Sequence, residues 1–427
     1  MKATYNCAAV YLIDISSKSI FRTAAGIGGN RDDLLRDDNG NIIIQGTGIA
    51  GAMREYASFK YDSGKVSELF GSSSTAKGSC LVFSDAVTGG VPKTEIRPGI
   101  AIDPVTMTTI DHSLFHTGFV SAGTSFKLHI YIYSLDFEKL KIYCDIVENC
   151  LRALDTGEIT LGGRTTTGAG VFRIERADKR LFDLSDTTSR HDWYRNDYSK
   201  TEPVDIKSAG TTGDFIRIIL KAHTRGTLLI KGQNLYETSS DDSTHIRDSA
   251  GRLLIPGSSL KGVLRNHAAK VLEEIGRTDL LTTIFGSNRD LEERQKGLME
   301  FSDSIIENVS THSHKRIHID KFTSGVMNGA LFSQEQVNGE TKLVCSFGKT
   351  GDSHTDNSII GLLLLLARDL AFGEITLGGS TSIGYGVLEG EEIVLENGEV
   401  IEKVLCSDLI DKSPEWAGQY ISELWGS

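Results

Sequence analysis

Two pairs of adjacent aspartates stand in polar loops that also carry arginine. Asp32-Asp33 follows a glycine-rich run, with Arg36 and then Asp37-Asp38 close behind, and Asp241-Asp242 is followed by Arg247-Asp248. A loop carboxylate can take up a proton or hold a hydrated divalent cation, and a neighbouring guanidinium can steady developing negative charge. Aspartate in such loops also closes Asx-turns and caps helices, so the pairs alone leave both roles open. His112 and His116 are weaker candidates for proton donors, because a lone loop histidine is usually a surface residue. In THSHKRIHI, His312, His314 and His318 resemble a metal grouping, but no cysteine or carboxylate pair completes it and Lys315 and Arg316 would repel a cation. A basic strand facing a phosphate backbone is the expectation there. The cluster from Arg190 to Arg195 could stack on bases; packing of Trp193 on a neighbouring surface is the simpler expectation.

The elements that must position these residues occur twice. IIIQGTGIAGAMREYA from Ile42 is repeated as LLIPGSSLKGVLRNHA from Leu253, aligning Gly46 with Gly257, Gly51 with Gly262 and Arg54 with Arg265. Apolar residues, a Gly/Ser/Thr turn and a helical pattern point backbone N–H groups at a helix N-terminus, where an anion such as phosphate can sit. Phe70-Gly71 recurs as Phe285-Gly286, Phe83-Ser84-Asp85 as Phe301-Ser302-Asp303, and Ile100-Ala101-Ile102-Asp103 as Ile317-His318-Ile319-Asp320. GEITLGGRTTTGAGV from Gly157 matches GEITLGGSTSIGYGV from Gly373. Matching blocks in one order mean two copies of one domain, each of ordinary domain size and too long for a solenoid repeat. The expected division is residues 1–180, a polar linker 181–212, and 213–427 with a C-terminal extension.

The 427 residues are 39% hydrophobic and 24% charged, as in a globular protein. The apolar run Ile359 to Ala367 is too short to span a bilayer and reads as a buried helix. Six scattered cysteines without CxxC spacing argue against a zinc site or disulfide framework, and a reducing cytoplasm is expected. The net charge of −12 weighs against a nucleic-acid binder, though a local basic groove can exist on an acidic surface.

Strands are expected over 4–15, 42–44, 81–85, 127–135, 158–161 and 215–222, and helices from Gly46 to about Phe59, over 137–154, from the second turn to about Ile275, and over 358–372. Residues 60–78 read as loop, 91–119 as an irregular segment, and 391–427 as a hairpin followed by a helix bearing Trp416 and Trp425. Each half thus runs strand, loop, strand, helix, strands, helix, strand. The fold class is α+β, compatible with two tandem ferredoxin-like sheets covered by helices. A dinucleotide enzyme is set aside, because the glycine runs precede no clear helix and lack an acidic ribose partner.

The IPGSSLKGVLR turn, the Arg-Asp just before it and the GEITLGG…GYG loop resemble the RAMP superfamily, most closely the backbone subunits of type III CRISPR effector complexes. The doubled copy is similar to the fused tandem subunits of subtype III-D-like systems. The resemblance implies an RNA-recognition-type fold with a Gly-rich loop and a thumb-like insertion, a guide CRISPR RNA, a complementary target RNA and other subunits of the complex as partners, and no membrane. It also implies cleavage of target RNA by a loop aspartate, Asp32 or Asp33 in the first copy and Asp241 or Asp242 in the second, with Mg²⁺ or another divalent cation weakly bound. The RNA-binding residues it implies are Arg36, Gly46, Thr47, Arg54, Arg164, Arg247, Ser258, Ser259, Lys261, Arg265, Lys315 and Arg316. The family's Gly-Gly-x-Asp loop aligns best with Gly28 to Asp33. In the second copy Gly232-Gln233-Asn234 replaces the doubled glycine, and in the first Ala50 stands where the turn has Lys261. A non-cutting RNA-binding scaffold is the competing function. A self-sufficient guide-processing nuclease using histidine is disfavoured, because the first histidine is His112.

Overall fold

The computed structural model describes residues 5–23, 34–72, 76–103, 106, 108–207, 215–232, 241–287, 295–409 and 413–426. Asp32 and Asp33 lie outside them. The chain forms two compact units. The first comprises Met1–Glu95, Gly118–Thr165 and Ala169–Thr212; the second comprises Ile96–Thr117, Thr166–Gly168 and Gly213–Ser427.

The first repeat runs β1 (Cys7–Ser17), β2 (Ile43–Ile44), α1 (Gly46–Lys60), α2 (Ser63–Phe70), β3 (Leu81–Phe83), β4 (Ala86–Thr88), β5 (Thr94–Gly99), β6 (Phe115–Val120), β7 (Ser125–Ser134), α3 (Phe137–Thr156), β8 (Phe172–Asp183), α4 (Thr187–Tyr194) and β9 (Glu202–Pro203). Its sheet has the order β2-β4-β7-β1-β8-β9. With α1 and α3 as crossovers, β1, β4, β7 and β8 make the βαββαβ ferredoxin-like arrangement. Alternate residues of β1 (Cys7, Ala9, Tyr11, Ile13 and Ile15) share one buried cluster with Ile49 and Met53 of α1 and Leu140, Val147 and Leu151 of α3. Here the 2-residue period of the strand meets the helical stripe that the sequence pattern required. Within this core the fully buried Tyr11 hydroxyl donates to Glu148 at 3.0 Å, and Lys179 pairs with the same carboxylate at 2.7 Å. Glu148→Ala is expected to cost about 2 kcal/mol, since it strips the partner from two polar groups; a chemical melt of the full chain measures it, and a change within about 0.5 kcal/mol would show the network to be dispensable.

The second repeat copies this plan as β10 (Phe215–Thr224), β11 (Leu254–Ile255), α5 (Gly257–Glu274), α6 (Asp279–Phe285), β12 (Glu300–Phe301), β13 (Ser304–Ile319), β14 (Val326–Gly348), α7 (Ser353–Ala371), β15 (Leu388–Asn397), β16 (Val400–Leu405) and α8 (Glu415–Trp425). Its sheet order is β11-β13-β14-β10-β15-β16. The two central strands even carry matching irregularities, at Asp14/Ile15 against β8 and at Lys221/Ala222 against β15. β13 and β14 extend past the sheet as a long antiparallel hairpin, the thumb-like insertion of this unit.

Several elements differ from the sequence expectation. Residues 60–78 contain α2, whose Asp62 caps it by accepting from the Gly64 N–H. Residues 158–161 and their counterpart 374–377 are not strands. The alternation there reports burial of Ile159 and Leu161, while the backbone closes a loop: Leu161 N–H donates to Gly170 C=O at 2.9 Å, as Leu377 does to Gly386. The irregular segment 91–119 holds the β5–β6 hairpin. Residues 181–212 hold the end of β8, α4 and β9, and Trp193 of α4 lies edge-on to Tyr131, Tyr133 and Phe182. Helix α4 therefore covers the aromatic side of the first sheet, so Trp193 packs rather than standing free to stack on bases. Among the described residues no helix is long and apolar enough to cross a membrane, and the six cysteines are free.

Candidate functional site

The repeated glycine turn starts a helix directly on the end of a strand. A Cβ on Gly46 would lie 2.6 Å from the Phe83 carbonyl oxygen, and one on Gly257 would lie 1.9 Å from that of Phe301. No side chain fits, which accounts for glycine in both copies. The helix N-terminus attracts an anion, as the pattern predicts, but the chain supplies it. Asp85 accepts from the Gly46 N–H at 2.7 Å and Asp303 from the Gly257 N–H at 2.9 Å. The recurring Phe-Ser-Asp block is thus a strand end that delivers a capping carboxylate. Thr47 and Ser258 are exposed at the first turns, Ser259 is half-buried, and Gly51 and Gly262 face open space. Arg54 is exposed, whereas Arg265 donates to the Gly286 carbonyl. Lys261 donates to Thr166 at 3.0 Å and Arg97 pairs with Asp303, both inside the second unit.

The acidic loop of the second repeat is fastened to the root of the thumb. Asp241 accepts from the Ser313 hydroxyl on β13. Asp242 accepts through Oδ2 from the Ser333 N–H at 2.7 Å and the Ser333 hydroxyl at 3.1 Å. The Ser333 bonds hold the Asp242 carboxyl below its ordinary range, backbone N–H first, so it is ionised at neutral pH. Oδ1 of Asp242 makes no hydrogen bond among the described residues. Two positions along β14, Glu335 pairs with Arg247 and accepts from the His245 N–H at 2.9 Å. Arg247 also donates to the Gly251 carbonyl, as Arg36 does to Gly40 in the first repeat.

Those turns fix the register between the two loops. Arg36 bridges Ile42 and Arg247 bridges Leu253, which makes Leu34 the counterpart of His245. Counting back, Asp33 corresponds to Thr244, so the acidic pairs stand two residues apart in this register. Directly across the thumb from Ser333, Lys315 is exposed, while the next residue, Arg316, donates to the Tyr385 hydroxyl and lies 4.8 Å from the centre of its ring. His314 meets Gln336 at 2.7 Å. Among the described residues no group of three His, Cys, Asp or Glu side chains could hold a metal ion. In the first unit, Arg164 is exposed on the Gly-rich loop with φ +67°. His112 is exposed as well and reaches none of the acidic residues in any described hydrogen bond.

Sequence reasoning missed Ser313, Ser333, Glu335 and His245. Only His245, an isolated histidine between polar loop residues and an apolar strand, carried any signal.

The RAMP superfamily model matches residues 16–173 and again residues 222–389. The chain belongs to the RAMP superfamily. The two matches coincide with the two ferredoxin-like repeats, so the tandem RAMP organisation is the architecture of this protein. A solved chain described as "Type III-B Cmr-beta Cryo-EM structure of the Apo state" is similar at 16% identity over 41% of this RAMP chain and 96% of its own, with a TM-score of 0.34, too low to bear on fold or function. No curated protein matches the chain.

Proposed function

We propose that this RAMP protein is a guide-RNA-binding backbone subunit of a type III CRISPR effector complex and that it cuts guide-paired target RNA through loop aspartates. The observation that carries the cutting reading is the placement of Asp241 and Asp242 at the thumb root, ionised at least at Asp242, beside a strand bearing His312, Lys315 and Arg316. Exposed Arg54, Thr47, Arg164, Ser258 and Lys315 are suited to phosphate contacts.

In that reaction the 2′-oxygen of the target attacks the adjacent phosphorus. It loses its proton to a carboxylate, and the bond to the 5′-oxygen breaks as that oxygen takes up a proton. Asp241 or Asp242 is suited to take the first proton, and the cationic side chains to steady charge on the phosphorane oxygens. A divalent cation fits here only weakly: Oδ1 of Asp242 and the adjacent Asp241 offer one or two carboxylate ligands, which suffices for a Mg²⁺ that keeps most of its waters and lends charge neutralisation.

The test uses the assembled complex with guide RNA and a labelled complementary RNA, with and without Mg²⁺. Asp241/Asp242→Ala is expected to reduce one set of product bands by about 10²-fold or more, and Asp32/Asp33→Ala another. An unchanged ladder with intact RNA binding would sink the nuclease reading and leave the non-cutting scaffold.

A further inference from the structure

His245 is 1% exposed and sits at the exit of the acidic loop. Its ring joins two backbone segments. Nδ1 accepts from the Ile230 N–H at 3.2 Å, and Nε2 donates to the Leu254 carbonyl at 2.9 Å. Its own N–H is held by Glu335 of the thumb. One side chain thus ties the apolar segment 228–230, the strand that enters the α5 turn, and the loop bearing Asp241 and Asp242. An Nδ1 that accepts a hydrogen bond carries no proton, so the geometry requires the neutral ring with its proton on Nε2. The first repeat has Leu34 at this position, 8% exposed and buried in its core, with no ring to make such a link.

We propose that neutral His245 is a positioning residue that sets the acidic loop of the second repeat against the thumb, and that protonation of its ring releases the loop, a sensitivity the first repeat lacks. The groups facing it support the direction. The charges nearby are Arg247 on its own loop and Glu335 on β14, which pair with each other, and the exposed Lys231 on the segment bridged to His245. Segment 228–230 and β11 present only backbone and apolar side chains. Burial is the chief cause that pulls the ring pKa down to about 4. The Leu254 and Leu228 carbonyls oppose it, and Arg247 adds to the fall. The clamp is therefore complete above the ordinary histidine value of 6.5, weakens as pH falls below it, and fails near pH 4.

The role in cleavage rests on the function proposed above; the role in holding the loop does not. The test therefore reads hydrogen–deuterium exchange of the full chain at pH 7.5 and pH 4.5, corrected for intrinsic rates. In wild type, protection of amides 242–247 is expected to fall about tenfold or more at the lower pH, the size of one lost hydrogen bond. His245→Leu, which copies the first repeat, should show the loosened loop at both pH values. His245→Gln retains an acceptor and a donor and should keep the protection without the pH response, which also controls for misfolding of the leucine variant. Protection in His245→Leu equal to wild type, or a wild-type pH response that survives in His245→Gln, would overturn the proposal. In the guide-loaded complex, the Asp241/Asp242-dependent bands should fade towards pH 4.5 before the others. Absence of those bands at every pH defeats the nuclease reading while the exchange result still decides the clamp.

Discussion

Asp303→Ala destabilises the second unit by about 3 kcal/mol or more, while Asp85→Ala, the same change in the same motif, costs the first unit about 1 kcal/mol. The difference follows from what each carboxylate holds. Asp85 is exposed and accepts from the Gly46 N–H at the start of α1. Its loss removes a helix cap that water can partly replace. Asp303 caps α5 through Oδ1 and binds Arg97 through Oδ2, and the two side chains are only 18% and 11% exposed. Removing it takes the bound carboxylate from a largely buried guanidinium, which is costly because a charge in a poorly solvated place is not readily rehydrated. Calorimetry that separates the two unfolding transitions would measure both effects. Equal small shifts would mean that the Arg97–Asp303 pair contributes nothing beyond the cap.

The second large effect sets two glycines of one helix against each other. Gly257→Ala is expected to cost about 3 kcal/mol or more, because its Cβ falls 1.9 Å from the Phe301 carbonyl oxygen and 2.8 Å from the Thr167 oxygen. Backbone on both sides leaves nothing flexible to yield. Five residues on, Gly262→Ala meets nothing within 4 Å, and the better helix former should stabilise the unit by about 0.8 kcal/mol. Glycine nevertheless stands at that open helical position in both repeats, as Gly51 and Gly262. If a nucleic-acid backbone approaches there, Gly262→Ala will raise the melting temperature while weakening guide-RNA binding. A gain in stability with unchanged RNA affinity would assign the open glycine no part in binding.

The long elements were legible because their signals are local. Helices α3 and α7 have Asp136 and Asp352 as caps and continuous apolar faces, and duplication in the sequence led directly to two ferredoxin-like repeats. Short α2 was missed because its apolar positions, Val66, Leu69 and Phe70, span little more than one turn and its cap, Asp62, sits among turn residues. The GEITL segments misled because burial of alternate residues looks the same whether the backbone joins a ladder or closes a loop. The anion site at the repeated turn was legible, but not the carboxylates that the chain brings to it, since Asp85 and Asp303 reach it from 39 and 46 residues away. The acidic loop was visible, but its partners were not. Ser313 is 72 residues from Asp241 and Ser333 is 91 from Asp242, and only the thumb brings them together.

The central strands carry a consequence for how the protein is made. Cys7 of β1 must pair with Ser134 and with Asp183, so this apolar strand has no complete set of neighbours until more than 170 further residues have been added. At about 5–20 residues per second that is roughly ten seconds or more on the ribosome, and such non-local closure makes for slow folding. In the second repeat β13 and β14 join across a short turn and can form early, but β10 still waits for β15. Every strand of the first sheet, through β9 at Glu202–Pro203, is synthesised before β10 begins at Phe215. The two sheets can therefore close one after the other, an order of birth that keeps a duplicated chain from exchanging central strands between its copies.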